Sequence, residues 1–256
     1  MADGSKPVLY GVEGSTARIT LNRPDKRNAL NDVVIRDVKH ALTEAAANDS
    51  VRVVLLSGNG QDFCSGADLS ALQRISDASV SENMADARSL MELFVLIRQL
   101  QVPVIAAVHG RALAGGCGLA TACDLVLTTT SARFGYPEVK IGFVPAMVLA
   151  ILRRNVSEKR AFELITLGEE IGAEEAKQIG LVNRVFKDET FAQEVTAYVH
   201  RFEKTSKSAV SLTKSLLYQI DGLAFIEALE TGVDVNVIAR MTDDSRQGIA
   251  RFLQKP

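Results

Sequence analysis

Two short apolar runs constrain this chain more than any other feature: residues 51–57, VRVVLLS, and residues 102–108, VPVIAAV. Neither alternates apolar with polar side chains, so each reads as a strand buried on both faces, the pattern of a parallel sheet covered by helices on both sides. Helical periodicity surrounds them. Beginning at Asn31, the residues Val34, Val38, Leu42 and Ala45 share one stripe that closes near Asn48 and Asp49. A later helix carries Leu90, Leu93, Phe94, Ile97 and Leu100. Parallel strands joined through helices need crossover connections, and the fold class is therefore α/β.

The remaining elements extend that order. Residues 8–12 and 17–21 flank Glu13-Gly14-Ser15 as a hairpin, and a polar, proline-bearing loop follows at residues 22–28. Residues 70–90 read as polar and mobile, with the next helix starting near Ala85. A glycine-rich stretch from Gly110 to Gly118 leads into a short apolar helix ending near Cys123, and residues 124–128 return as a strand. Beyond Glu158 strand signals survive only at residues 181–186, so the architecture is expected to shift near residue 190, dividing a core (1–190) from a helical region (191–256). With no Gly/Ser linker between them, the helical tail is expected to pack on the core or on a neighbouring subunit.

Composition excludes several function classes. Lys+Arg 29 against Asp+Glu 31 leaves a net charge of −2, without the positive field that gathers nucleic acid or an anionic membrane surface. No apolar stretch approaches the ~20 residues that span a bilayer. The start, MADGSKPVLYG, lacks the basic and apolar regions of a secretory signal, and Cys64, Cys117 and Cys123 show no C-x-x-C spacing. A cytoplasmic location with the cysteines as packing residues is the expectation. His40, His109 and His200 are too scattered for a metal site, so no metal is expected.

Two glycine-rich loops each follow a buried strand and enter a helix: Phe63-Cys64-Ser65-Gly66-Ala67-Asp68-Leu69 and Ala112-Leu113-Ala114-Gly115-Gly116-Cys117-Gly118. The second is no P-loop, since Lys-Ser/Thr is absent, and it fails G-x-G-x-x-G because the sixth position counted from Gly116 is Thr121. What remains is either two tight turns without function or a pair of N–H donors converging on one developing oxyanion. A third segment, residues 132–142, places Glu138 after a turn in apolar surroundings, where desolvation would raise its pKa toward general acid–base use.

The segments LNRPDKRNAL, FCSGADLSAL, PVIAAVHGRALAGGCGLATACDL and ARFGYPEVKIGFVPA, in this order, resemble the crotonase, or enoyl-CoA hydratase/isomerase, superfamily over almost the whole chain. The resemblance implies a spiral of repeated ββα units with a C-terminal helical region, assembled as a homotrimer or dimer of trimers. It implies Ala67 and Gly115 as oxyanion-hole donors. Lys26, Asn28, Ala29 and Leu30 would lie beside the nucleotide and pantetheine of CoA, with Asp68 and Leu69 near the adenine. Arg23, Lys26 and Arg27 are the cations at hand for the CoA 3′-phosphate, unless that loop is merely solvated, and Lys255 is placed to reach a neighbour's CoA or solvent. Coenzyme A enters as part of an acyl-CoA thioester substrate, and no other cofactor is implied.

By the same resemblance Glu138 stands where the second catalytic glutamate stands, and Gly118 where a hydratase has its first, water-activating one. A lone carboxylate suits isomerisation of a 3-enoyl-CoA, which needs one base moving a proton from C2 to C4. Against that, FGYPEVKIGFVPAMV resembles bacterial methylglutaconyl-CoA hydratase-like members with glycine at this position, which favours hydration of a 2-enoyl-CoA. Glu138 would then handle both protons in a syn addition, or Tyr136 would help place the water. A non-catalytic acyl-CoA-binding protein is the reading from a different class. A serine hydrolase is disfavoured, because Ser65 has no evident histidine partner.

Overall fold

The computed structural model describes residues 6–254, and the backbone alone at 69, 70 and 72. A hairpin of β1 (Val8–Glu13) and β2 (Thr16–Leu21) opens a six-stranded sheet continued by β3 (Val53–Gly58), β4 (Val104–Val108), β6 (Leu125–Thr129) and β9 (Arg184–Phe186). After the antiparallel hairpin every pair in this sheet is parallel. The expected runs at 51–57 and 102–108 are β3 and β4, and both are buried throughout apart from Ser57.

Burial on both faces has a simple cause. Val54, Leu56, Val104 and Ala106 join the main core, while Val53, Leu55, Ile105, Ala107 and Leu127 face a second cluster closed by Val195 and Val199. Those two valines sit on α8 (Phe191–Val199), so this helix covers the sheet's far face. On the near face lies α1 (Asp32–Ala47), whose Asn31 cap accepts from the Val34 N–H at 3.0 Å and whose buried stripe is Val34, Val38, Leu42 and Ala45 with Ile35 and Ala41.

A smaller sheet holds β5 (Arg111–Leu113), β7 (Arg133–Gly135) and β8 (Ile171–Gly172). Parallel bridges extend it, Cys64 to Ala112 and Leu30 to Ala67, so each pass through the large sheet is followed by a short strand or bridge in this second layer. That is the spiral of ββα units, and every candidate site segment lies along it.

Residues 70–90 differ from expectation. They form α2 (Leu69–Asp77) and the start of α3 (Val80–Gln99), which begins with a capping box: the Ser79 hydroxyl accepts from the Glu82 N–H and the Glu82 carboxylate accepts from the Ser79 N–H. Polar composition concealed this helix because its outer face is solvated. Further along, α4 (Gly115–Ala122), α5 (Ala146–Asn155), α6 (Glu158–Leu167) and α7 (Ala173–Gln178) surround the small sheet. Beyond α8, the helices α9 (Lys207–Gln219), α10 (Phe225–Met241) and α11 (Asp243–Leu253) close the chain. Asp244 of α11 accepts from Ser206 and Ser208 at the start of α9, hydrogen bonds that hold its carboxyl at about 2.

Candidate active site

The first wall is the loop after β2, and its side chains are spent on holding its own shape. Arg27 and Asn28 both take positive φ, +49° and +55°. Asn28 is buried, donates from Nδ2 to the carbonyls of Asn59 and Asp62, and accepts from the Arg23 N–H at 2.8 Å. Arg23 donates to the Ala29 carbonyl and to Asp68 at 2.7 Å, joining the loop to the segment that carries Ala67. Leu30 donates to the Gly66 carbonyl and accepts from the Asp68 N–H, so Ala67 is clamped on both sides.

Of the three cations in this loop, then, Arg23 serves as an internal tie. Arg27 lies 3.8 Å from buried Asp62 with its own side chain largely exposed, and Lys26 is exposed with its ammonium in no ion pair among the described residues. A cavity of about 460 Å³ beside α2 and α3 is lined by Asp32, Asp77, Glu82 and Asp86 around Arg74, which pairs with Asp32. Its acidic lining opposes phosphate, leaving Lys26 and Arg27 as the local positive charge. Leu69 begins α2, while Lys255 lies outside the described residues.

The second wall is the entry to α4. Ala114 takes φ +50° and ψ −129°, a conformation unusual for alanine, and its N–H donates to the Gly135 carbonyl at 2.9 Å. Gly66, at φ +97°, faces it so closely that a Cβ there would come within 2.8 Å of the Ala114 Cβ. Each of these residues immediately precedes a proposed donor, so this contact brings the Ala67 and Gly115 loops together. Neither the Ala67 nor the Gly115 N–H donates to another group among the described residues. Gly115 opens α4, where the first N–H groups lack intrahelical acceptors and the helix dipole favours negative charge.

Glu138 is the remaining candidate. It lies in a 3₁₀ turn, Pro137–Ile141, directly after β7, whose last residue Gly135 is tied to Ala114. Its carboxylate Oε2 is buried and has no hydrogen-bond partner. Desolvation raises its pKa, opposed by a bond from its own backbone N–H. The neighbouring Cys117 thiol is pushed up to about 12, chiefly by burial, with Glu138 adding to the effect. Cys64 is likewise pushed up to about 12 by burial. Both behave as packing residues, as the sequence reading expected.

The Tyr136 side chain is fully buried in the main core, near Cys117 and Thr121, and its hydroxyl is among the buried polar atoms without a hydrogen-bond partner. Gly118 is more than an absence. A Cβ built there would lie 2.6 Å from Val148 Cγ2 and 3.3 Å from Phe94 Cζ, so the space a second carboxylate would enter is already occupied. Sequence reasoning found Gly118 but not Val148, because nothing in an apolar helix announces which residue it will face. Nor does an alanine announce a positive φ. His109 contacts the Gly60 carbonyl through Nε2 at 2.9 Å, a strand-end role.

Removing one donor is a direct probe. Proline at position 115 deletes the N–H yet suits the first turn of a helix, and a Cβ there meets only Leu30 Cδ1 at an ordinary 3.5 Å. Gly115→Pro is expected to cut turnover by about 10²–10³-fold, measured by steady-state kinetics, and also to lower Tm, because a residue before proline prefers extended backbone and Ala114 stands at φ +50°. An unchanged kcat would remove Gly115 from the site.

Comparison with known proteins gives a consistent result. A family model described as enoyl-CoA hydratase/isomerase matches residues 11–256. The chain is 40% identical to a Thermus thermophilus protein named "putative enoyl-CoA hydratase", over 95% of this chain and 96% of that one. It is 33% identical to the 2,3-dehydroadipyl-CoA hydratase of Escherichia coli, over 93% and 91% of the two chains. Among solved structures, the enoyl-CoA hydratase of Mycobacterium smegmatis superposes with a TM-score of 0.92 at 31% identity, over 97% of this chain and 96% of that one.

Proposed function

The chain belongs to the enoyl-CoA hydratase/isomerase family and is an acyl-CoA enzyme, and within that family we propose that it hydrates a 2-enoyl-CoA with Glu138 as its one acid–base group. The observation that carries the reading is the buried, unpartnered Glu138 Oε2, on the turn after the strand tied to Ala114, together with two N–H groups that have no internal acceptor. The thioester oxygen accepts from Ala67 and Gly115, which stabilise the enolate as charge moves onto it. Ionised Glu138 takes a proton from water as its oxygen adds to C3, then delivers a proton to C2 on the same face. Atoms balance: one water is consumed and the carboxylate is regenerated.

Lys26 and Arg27 supply charge for the CoA phosphates, while Asn28, Ala29, Leu30, Asp68 and Leu69 shape the loop edge against which CoA lies. CoA is part of the substrate, and the reaction as written needs no metal or redox cofactor. No helix among the described residues is long and apolar enough to cross a membrane. Ile226, Leu229, Val233 and Val237 of α10 are exposed, and this stripe supports assembly into a homotrimer or dimer of trimers. A cytoplasmic location fits the three reduced, buried cysteines.

A second reading, isomerisation of a 3-enoyl-CoA, is favoured by Val148 standing against Gly118, since one base suffices for it. Parallel assays with a 2-enoyl-CoA and a 3-enoyl-CoA, following conjugated-thioester absorbance and product mass, separate the two. Loss of conjugation with gain of one water is the expected result; gain of conjugation at constant mass would replace hydration by isomerisation. Saturable binding without turnover on either would make the protein a non-catalytic acyl-CoA binder.

Both reactions start from ionised Glu138, whose pKa is raised by burial. Activity is therefore lost as pH falls through that elevated value. The acid limb of the kcat/KM profile is expected above the ordinary glutamate range, and a limb at or below that range would contradict the assignment.

A further inference from the structure

We infer that Val148, backed by Phe94, is the residue that restricts this site to a single carboxylate, an inference that rests on the single-glutamate reading above. Gly118 lies in the second turn of α4, one residue beyond Cys117, which feels the Glu138 charge. A side chain at 118 leaves α4 toward α5 and α3. In that direction stand Val148 Cγ2 at 2.6 Å, Phe94 Cζ at 3.3 Å and Val148 Cγ1 at 3.5 Å from a built Cβ. The first distance is below any that real Cβ atoms adopt.

Neither neighbour can yield cheaply. Val148 and Phe94 are each 4% exposed and belong to the main core. Valine in a helix has one strongly preferred rotamer, so the methyl cannot swing aside as a long side chain would. Relief would require moving α5, which starts at Pro145 with the Leu149 N–H bonded to the Pro145 carbonyl and is packed through Val148, Ile151 and Leu152. Glycine at 118 and valine at 148 are thus two halves of one contact. Methyl groups there also offer water no hydrogen-bond acceptor, which leaves Glu138 as the group that must handle both protons.

The test is a cycle of Gly118→Ala, Val148→Ala and the pair, followed by thermal unfolding. Alanine is the better helix former, so Gly118→Ala would ordinarily raise Tm. Here it is expected to lower Tm, and to stop doing so once Val148 is alanine. Additive shifts would overturn the proposal. In the second arm, Gly118→Glu alone is expected to lower Tm without faster hydration. Gly118→Glu with Val148→Ala is expected to hydrate a 2-enoyl-CoA about tenfold or more faster, within reach of the ~10²–10⁴ a placed acid–base group supplies, and to add a second ionisation to the pH profile.

A gain of hydration from Gly118→Glu alone at unchanged Tm would overturn the proposal, as would a folded double variant with wild-type rate and pH profile. Should that double variant not fold, the alanine cycle decides by itself. Failure of the Glu138 reading shows up separately, as turnover retained in Glu138→Gln, and leaves the Tm cycle unaffected.

Discussion

Glu138→Gln is expected to lower kcat on an enoyl-CoA by about 10²–10⁴-fold, the range for losing a general acid–base group, while CoA-thioester affinity stays within a few-fold of wild type. The amide keeps the shape of the carboxyl but cannot take up a proton at neutral pH. No internal hydrogen bond is lost at Oε2, because that atom has no partner in the folded protein. Stability should move the other way from activity. A carboxyl whose folded pKa is raised favours folding in its protonated form, and that contribution disappears as pH rises through the folded value. At neutral pH the ionised group is a burden that glutamine removes, so Tm is expected to be unchanged or higher. Kinetics, calorimetric titration with a CoA thioester and thermal unfolding read the three quantities. A variant with wild-type kcat would end the assignment, and one that has lost its Tm would reveal a structural role instead.

Lys214→Met is expected to destabilise the protein by about 3–5 kcal/mol, the magnitude for breaking a buried ion pair by removing one partner. Lys214 is 6% exposed and donates to Asp124 at 2.7 Å and to the carbonyls of Ile97 and Val102 at 2.8 and 2.9 Å. Asp124 also accepts from the Val104 N–H and the Tyr218 hydroxyl. One side chain of α9 therefore satisfies the end of α3, the approach to β4 and the residue just before β6. Burial lowers the Lys214 pKa, and the Asp124 charge opposes that shift. Methionine fills comparable volume but leaves two carbonyls and a carboxylate short of a donor. At roughly 2–4 °C per kcal/mol for a domain of this size, Tm should fall by about 6–20 °C. A fall of under about 2 °C would mean that the network contributes little.

The elements that were legible in the sequence are those whose signal is local. The β3 and β4 runs are apolar because both faces are covered, and the α1 stripe repeats at helical spacing because one face is buried. Glu138 was legible for a similar reason: an acid among apolar neighbours marks a group whose charge will be disfavoured. The extent of α2 and α3 was not legible, since short polar helices owe their stability to caps and packing more than to periodicity. The partners of Arg23, Asp68 and the Ala29 carbonyl, were not legible because they come from turns whose path the sequence does not disclose.

By itself, the sequence determined the α/β class, the resemblance to one superfamily, an acid at 138 among apolar neighbours and the glycine at 118. Only the tertiary structure decided that Gly66 and Ala114 meet, that Ala114 takes a positive φ, and that Val148 fills the space beside Gly118. The division follows from range. Periodicity and composition report what each residue needs from its surroundings, whereas a site depends on which distant residue supplies it, and that is settled when α4, α5 and the small sheet pack together.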